Sequence, residues 1–148
     1  MSPEETYLEP SQEAGRAFLS RRIEGGVMML NLLRFREMAD YSGSPELEPS
    51  RPITGAEAFD RYIEHTLPYL ERSGGELVFL GAGGPFLIGP QQERWDMAMM
   101  VRQQGAAEFV SFASDPGYLA GLGHRRAALK DSRLLPLVER TLPAPAFR

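Results

Sequence analysis

Cysteine is absent from this 148-residue chain, which rules out disulfides, thiolate metal sites and cysteine nucleophiles and leaves the redox compartment unmarked. Histidine is scarce: the two copies, His65 and His124, form no sequence-local ligand pair, so no metal or haem is expected. A basic excess is missing too. The formal charge is -4 and the pI about 5.3, so no cationic stripe exists to neutralise phosphates, and nucleic acid is not an expected partner. No apolar run approaches the ~20 residues that span a bilayer. The acidic stretch 1–10 has neither the positive n-region nor the apolar core of a signal peptide. A cytoplasmic protein without a membrane partner is expected. The glycine cluster Gly81-Ala-Gly-Gly84 runs into Pro85 and a strand instead of opening a helix, so it cannot cradle phosphate in the dinucleotide or P-loop manner. No cofactor is expected.

What is present is the composition of a packed domain, with 43% hydrophobic, 24% charged and 9% aromatic residues. The length suits one core. We read 1–10 as a flexible N-terminal segment and 11–148 as a single domain. Ser11 caps a helix running to about Arg22 before Gly25-Gly26. The stretch Gly26 to Arg36, with Val27-Met-Met-Leu-Asn-Leu-Leu-Arg-Phe35 inside it, is apolar at consecutive positions, the mark of a strand buried on both faces. From Arg36 to Ile53 the proline-rich chain reads as a loop long enough to serve as a lid. Thr54 and Glu57 form a capping box, and Ala58, Phe59, Tyr62, Ile63, Thr66, Leu67 and Leu70 recur at helical spacing up to Gly74-Gly75, with a bend expected at Pro68.

Glu76 to Leu80 and Pro85 to Gly89 read as two halves of a strand broken by the glycines between them, and Arg94 to Val101 as a third strand. Gly105 to Ala113 reads as a helix. Asp115-Pro116 opens another that ends near Asp131, weakened by Gly117, Gly121 and Gly123, and Leu134 to Val138 forms a last strand with Pro136 marking an edge. The order is the split βαβ pattern of an α+β, ferredoxin-like sandwich with an antiparallel sheet. In that arrangement helices cover one sheet face and leave the other bare. Strands apolar on both faces then need a second cover, which another copy stacked about a two-fold axis supplies, giving a homodimer.

The segments Met29-Leu-Asn-Leu-Leu-Arg-Phe35, Arg94-Trp95-Asp96, Asp115-Pro-Gly-Tyr118 and His124-Arg-Arg-Ala-Ala-Leu-Lys-Asp-Ser-Arg-Leu134 together resemble an uncharacterised, stand-alone bacterial branch of the dimeric α/β-barrel superfamily. The resemblance spans most of the chain and implies a ferredoxin-like protomer and a barrel closed by two sheets. Other branches include cofactor-free quinone-forming monooxygenases, haem-degrading enzymes, chlorite dismutase-like proteins and isomerases, with pockets between sheet and helices. The branch itself transfers no activity. Gly105 stands where a capping serine belongs in this branch.

Asn31 is the lone amide in an apolar strand, and leaving it unbonded in the core would cost about 1–3 kcal/mol, so it bonds protein, water or ligand. Arg34, three residues on, points to the opposite face. Trp95 and Asp96 also alternate, one an aromatic wall and the other a proton acceptor; the fold's monooxygenases use asparagine, tryptophan and arginine around an aromatic substrate. Core packing is the competing reading for Trp95. His124, beside Arg125 and Arg126, offers a general base or an anion cluster, against a solvated face with weak ion pairs. His65 reads as a surface residue. The methionines Met28, Met29, Met97, Met99 and Met100 read as adaptable core.

The expected function is a homodimer that binds a small aromatic or carboxylate metabolite under the loop from Arg36 to Ile53, acting as a cofactor-independent enzyme of monooxygenase or isomerase type. His124 and Asp96 are its catalytic candidates, and Asn31, Arg34, Trp95, Tyr118 and Arg125 its binding candidates. The competing class is a non-catalytic dimerisation or accessory domain. A cavity lined by Asn31 or Trp95 with His124 or Arg125 at its mouth separates the first from the second.

Overall fold

The computed structural model describes residues 5–143. Its elements run α1 (Gln12–Ser20), β1 (Val27–Phe35), a 3-10 turn (Pro45–Leu47), α2 (Gly55–Arg72), β2 (Glu76–Pro85), β3 (Arg94–Gln103), α3 (Ala106–Ala113), α4 (Pro116–Ala120), α5 (Leu122–Ala128) and β4 (Leu129–Leu137). The four strands form one antiparallel sheet in the order β2-β3-β1-β4, the ferredoxin-like arrangement. No described helix is long and apolar enough to cross a membrane.

Strand alternation sorts the side chains. Leu33 opposite Met97, Asn31 opposite Met99 and Met29 opposite Val101 share the face beneath the helices. Leu33 and Met99 join Phe59, Tyr62 and Leu70 of α2, Phe112 of α3, Tyr118 of α4 and Ala127 and Ala128 of α5 in the core. The other face carries Met28, Leu30 and Leu32, with Met100 and Ala98 on β3, Leu135 and Leu137 on β4 and Phe79 on β2 opposite Met100. It is not closed: Phe79 is 54% and Leu135 53% exposed.

The helix signals act as the sequence implies. Ser11 accepts from the Ala14 amide, and Thr54 and Glu57 complete the capping box at α2, which continues through Pro68. Three boundaries differ from the sequence reading. First, β2 is continuous through its glycines and stops at Pro85, while its irregularity falls between Leu77 and Phe79. Gly83 is there for proximity: a Cβ would lie 2.4 Å from the Trp95 carbonyl oxygen. Second, the last helical stretch is split at Gly121 into α4 and α5 and ends at Ala128, short of Asp131. Third, β4 begins at Leu129, because Arg34 pairs with Asp131 and Leu33 with Ser132 and the ladder holds a polar segment extended. Pro136 does lie on an edge strand.

Candidate functional site

The segment from Arg36 to Ile53 is a packed loop. Tyr41 and Ile53 are buried anchors, an isolated bridge joins Met38 to Thr54, and backbone bonds tie Ala39 to Ile53 and Asp40 to Ala127. Beneath it lies an open cleft of about 490 Å³ whose polar lining includes Arg36, Asp40, Ser42, Ser44 and Arg126. The Arg36 Nε is buried without a hydrogen-bond partner among the described residues. Gly123 is needed here, since a Cβ would lie 2.3 Å from the Ser44 hydroxyl.

A second cleft, of about 400 Å³, lies between α2 and α5 and is lined by Arg61, Glu64, His65, Tyr69, Arg72 and His124, with Pro68. The His124 Nδ1 is 2.8 Å from the Tyr41 hydroxyl, and the His65 Nε2 is 2.8 Å from the Gly117 carbonyl oxygen. Burial, then the nearby charges of Arg61 and His65, hold the His124 imidazole below its ordinary pKa of 6.5. Burial pushes the Tyr41 hydroxyl up.

The binding candidates are divided among four places. Asn31 is in the interior, its amide nitrogen donating to the backbone carbonyls of Met29 at 3.3 Å and Met99 at 3.4 Å. Tyr118 is buried with its hydroxyl 2.8 Å from that of Tyr62. Arg125 donates to the Leu8 carbonyl at 2.5 Å and to Ser132 at 3.3 Å, fastening the N-terminal segment to β4. Arg34 and Trp95 do meet: the guanidinium lies 4.6 Å from the indole centroid. Arg133 joins them, 5.0 Å from Trp95 and 4.8 Å from the Tyr7 ring, and its Nη1 donates to Asp131 at 2.8 Å.

Asp131 is 1% exposed and also accepts from the amides of Tyr7 and Ser132. Burial opposes its ionisation, but those two amides and Arg133 outweigh it and hold the carboxyl below 3.8. Among the catalytic candidates, Asp96 accepts from the Phe35 amide at 2.8 Å and lies 3.9 Å from Arg94, while His124 belongs to the second cleft. Asp96 lines neither of the two clefts. Asn31 and Trp95 line neither of the two.

Sequence reasoning passed over Tyr41, Arg61 and Arg72, and it read His65 as a surface residue, whereas the ring is half-buried against Gly117 and Tyr69. A signal was available. Arg61, His65, Pro68 and Arg72 recur at helical spacing on the flank of α2 next to its buried stripe. Among the described residues no group of acidic and histidine side chains could hold a metal ion.

A four-stranded antiparallel sheet in the order β2-β3-β1-β4, helices over one face and two open polar clefts define an α+β protein of ferredoxin-like class. The crystal structure of RPA0582, a protein of unknown function from Rhodopseudomonas palustris, superposes with a TM-score of 0.82 at 36% identity, over 93% of this chain and all of that one. The chain belongs to the same family as RPA0582. Methylated RPA0582 matches equally well, with a TM-score of 0.81 at 36% identity over 95% of this chain and 98% of its own. A dimeric protein of unknown function and ferredoxin-like fold from Bacteroides fragilis aligns at 12% identity and a TM-score of 0.47, over 76% of this chain and 94% of its own. No protein-family model and no curated protein matches the chain.

Proposed function

We propose that the protein is a homodimer whose two sheets stack by their open faces into a barrel, each protomer binding a small metabolite in the cleft beneath the loop from Arg36 to Ile53. The observation that carries this reading is the uncovered apolar face. Met28, Leu30, Leu32, Met100, Phe79 and Leu135 together form a continuous patch of the kind a monomer seldom leaves in water. The unpartnered Arg36 Nε, in a residue that lines the cleft, supports a polar or anionic ligand there. Light scattering at micromolar concentration tests the assembly, and a well-folded monomer would sink it. Mass spectrometry of compounds retained through native purification tests the binding role.

A second reading has its own support. The Asn31 amide nitrogen is taken up by backbone carbonyls, and neither Asn31 nor Trp95 lines either of the two clefts. That packing favours an assembly domain with no substrate. Purification that repeatedly yields a ligand-free dimer would select it.

A further inference from the structure

The two histidines of the chain come from α2 and α5 and line one cleft with two arginines. We infer that this cleft is a binding site for a small organic carboxylate. Arg61, Arg72, His65 and His124 line it against a single acid, Glu64. Among the described residues neither arginine has a carboxylate within ion-pair distance, although Arg34, Arg51, Arg94, Arg102, Arg126 and Arg133 all do. Positive charges gathered along one open groove attract an anion more strongly than the same charges interspersed with acids. The volume, about 400 Å³, is that of a small-molecule site.

Hydrogen bonding prepares both rings. The Gly117 carbonyl can only accept, so His65 carries a hydrogen on Nε2. The Tyr41 hydroxyl can donate to the His124 Nδ1, which places the ring hydrogen on Nε2. Tyr69, with Arg72 5.3 Å from its ring centroid, and Pro68 add apolar surface that an inorganic ion would not use.

The backbone is shaped for this approach. A Cβ at Gly121 would lie 2.1 Å from the His65 ring, and one at Gly117 2.2 Å from the Tyr69 ring. These glycines let α4 and the start of α5 close on α2. The site needs neither the dimer nor the cleft under the loop, and stands if both of those fail.

Because His65 and His124 are the only histidines, the imidazole Cε1 resonances in an NMR spectrum report this cleft directly. Sodium benzoate is the probe, with sodium phosphate and sodium chloride at matched ionic strength as controls. Benzoate is expected to shift both resonances along one saturable curve. Replacing Arg61→Gln or Arg72→Gln should weaken binding about tenfold, the loss of one charge-assisted hydrogen bond, without lowering the melting temperature of the free protein. Affinity should rise as the pH falls through the region below 6.5 in which His124 gains its proton, since the anion favours imidazolium. Tyr41, Arg61 and the other histidine face His124, and Glu64 and Tyr69 lie beside His65 in the same cleft. Resonances unmoved at about 10 mM benzoate, where even a weak site is filled, would overturn the inference. So would equal shifts with chloride, or arginine variants that bind like the wild type; a stronger response to phosphate would replace the organic acid with an inorganic anion.

Discussion

The Tyr41 hydroxyl meets the His124 Nδ1 at 2.8 Å, and the two rings stand edge to face at 83° with centroids 5.6 Å apart. One side chain belongs to the loop after β1 and the other to α5, so this contact locks the loop to the helical layer and sets the imidazole in the wall of the α2/α5 cleft.

Tyr41→Phe keeps the packing and removes the bond. It should lower unfolding free energy by about 1 kcal/mol, the net worth of such a hydrogen bond. A double-mutant cycle with His124→Ala, read by urea denaturation, should give a coupling energy of the same order. Strict additivity would show that the contact does not hold the loop.

His124 also makes stability depend on pH. Its folded pKa lies below the ordinary 6.5, so the unfolded chain binds the extra proton as the pH falls through that region. Its contribution to stability is fully present above 6.5 and is lost as the pH falls through the folded value. His124→Gln should flatten the melting temperature between about pH 7 and pH 5.

Asp131 acts in a lower window. Its carboxyl is held below 3.8, so its contribution is present above that value and lost on further acidification. Asp131→Asn would turn an acceptor of the Tyr7 and Ser132 amides into a side chain that is partly a donor. The expected cost at neutral pH is about 2–3 kcal/mol, that of hydrogen bonds to a buried charge, with earlier protease cutting near Tyr7. A variant as stable as the wild type would mean that Asp131 does not anchor the N-terminal segment.

Phe79 and Leu135 test the open sheet face, because both are more than half exposed in the single chain and their replacement should not disturb its own core. Phe79→Asp and Leu135→Asp should give folded monomers by light scattering with unchanged circular dichroism. Variants that remain dimeric would place the interface elsewhere.

Gly121→Ala tests the close approach of α5 to α2. The added methyl would collide with the His65 ring, and relief of the clash should cost about 1–3 kcal/mol. The His65 resonance should move while that of a distant reporter such as Trp95 stays in place.

How much of this was legible in the chain differs from element to element. The capping box of Thr54 and Glu57 and the stripe from Ala58 to Leu70 identified α2 almost to the residue, because capping and helical periodicity are local. Pro136 disclosed an edge strand for an equally local reason, its missing donor. The start of β4 was illegible: Lys130, Asp131, Ser132 and Arg133 carry no strand pattern, and only the ladder to β1 and the bonds from Tyr7 to Asp131 extend them.

By itself, then, the sequence determined most of the elements, the ferredoxin-like order and an excess of apolar strand surface, all consequences of short-range pattern and composition. Only the tertiary structure decided which side chains meet. Arg34 and Trp95 come together because neighbouring strands place them so, as His65 and His124 do because Gly117 and Gly121 let the α4–α5 turn close on α2. No local pattern encodes such contacts, since they depend on how elements far apart in the chain pack against one another.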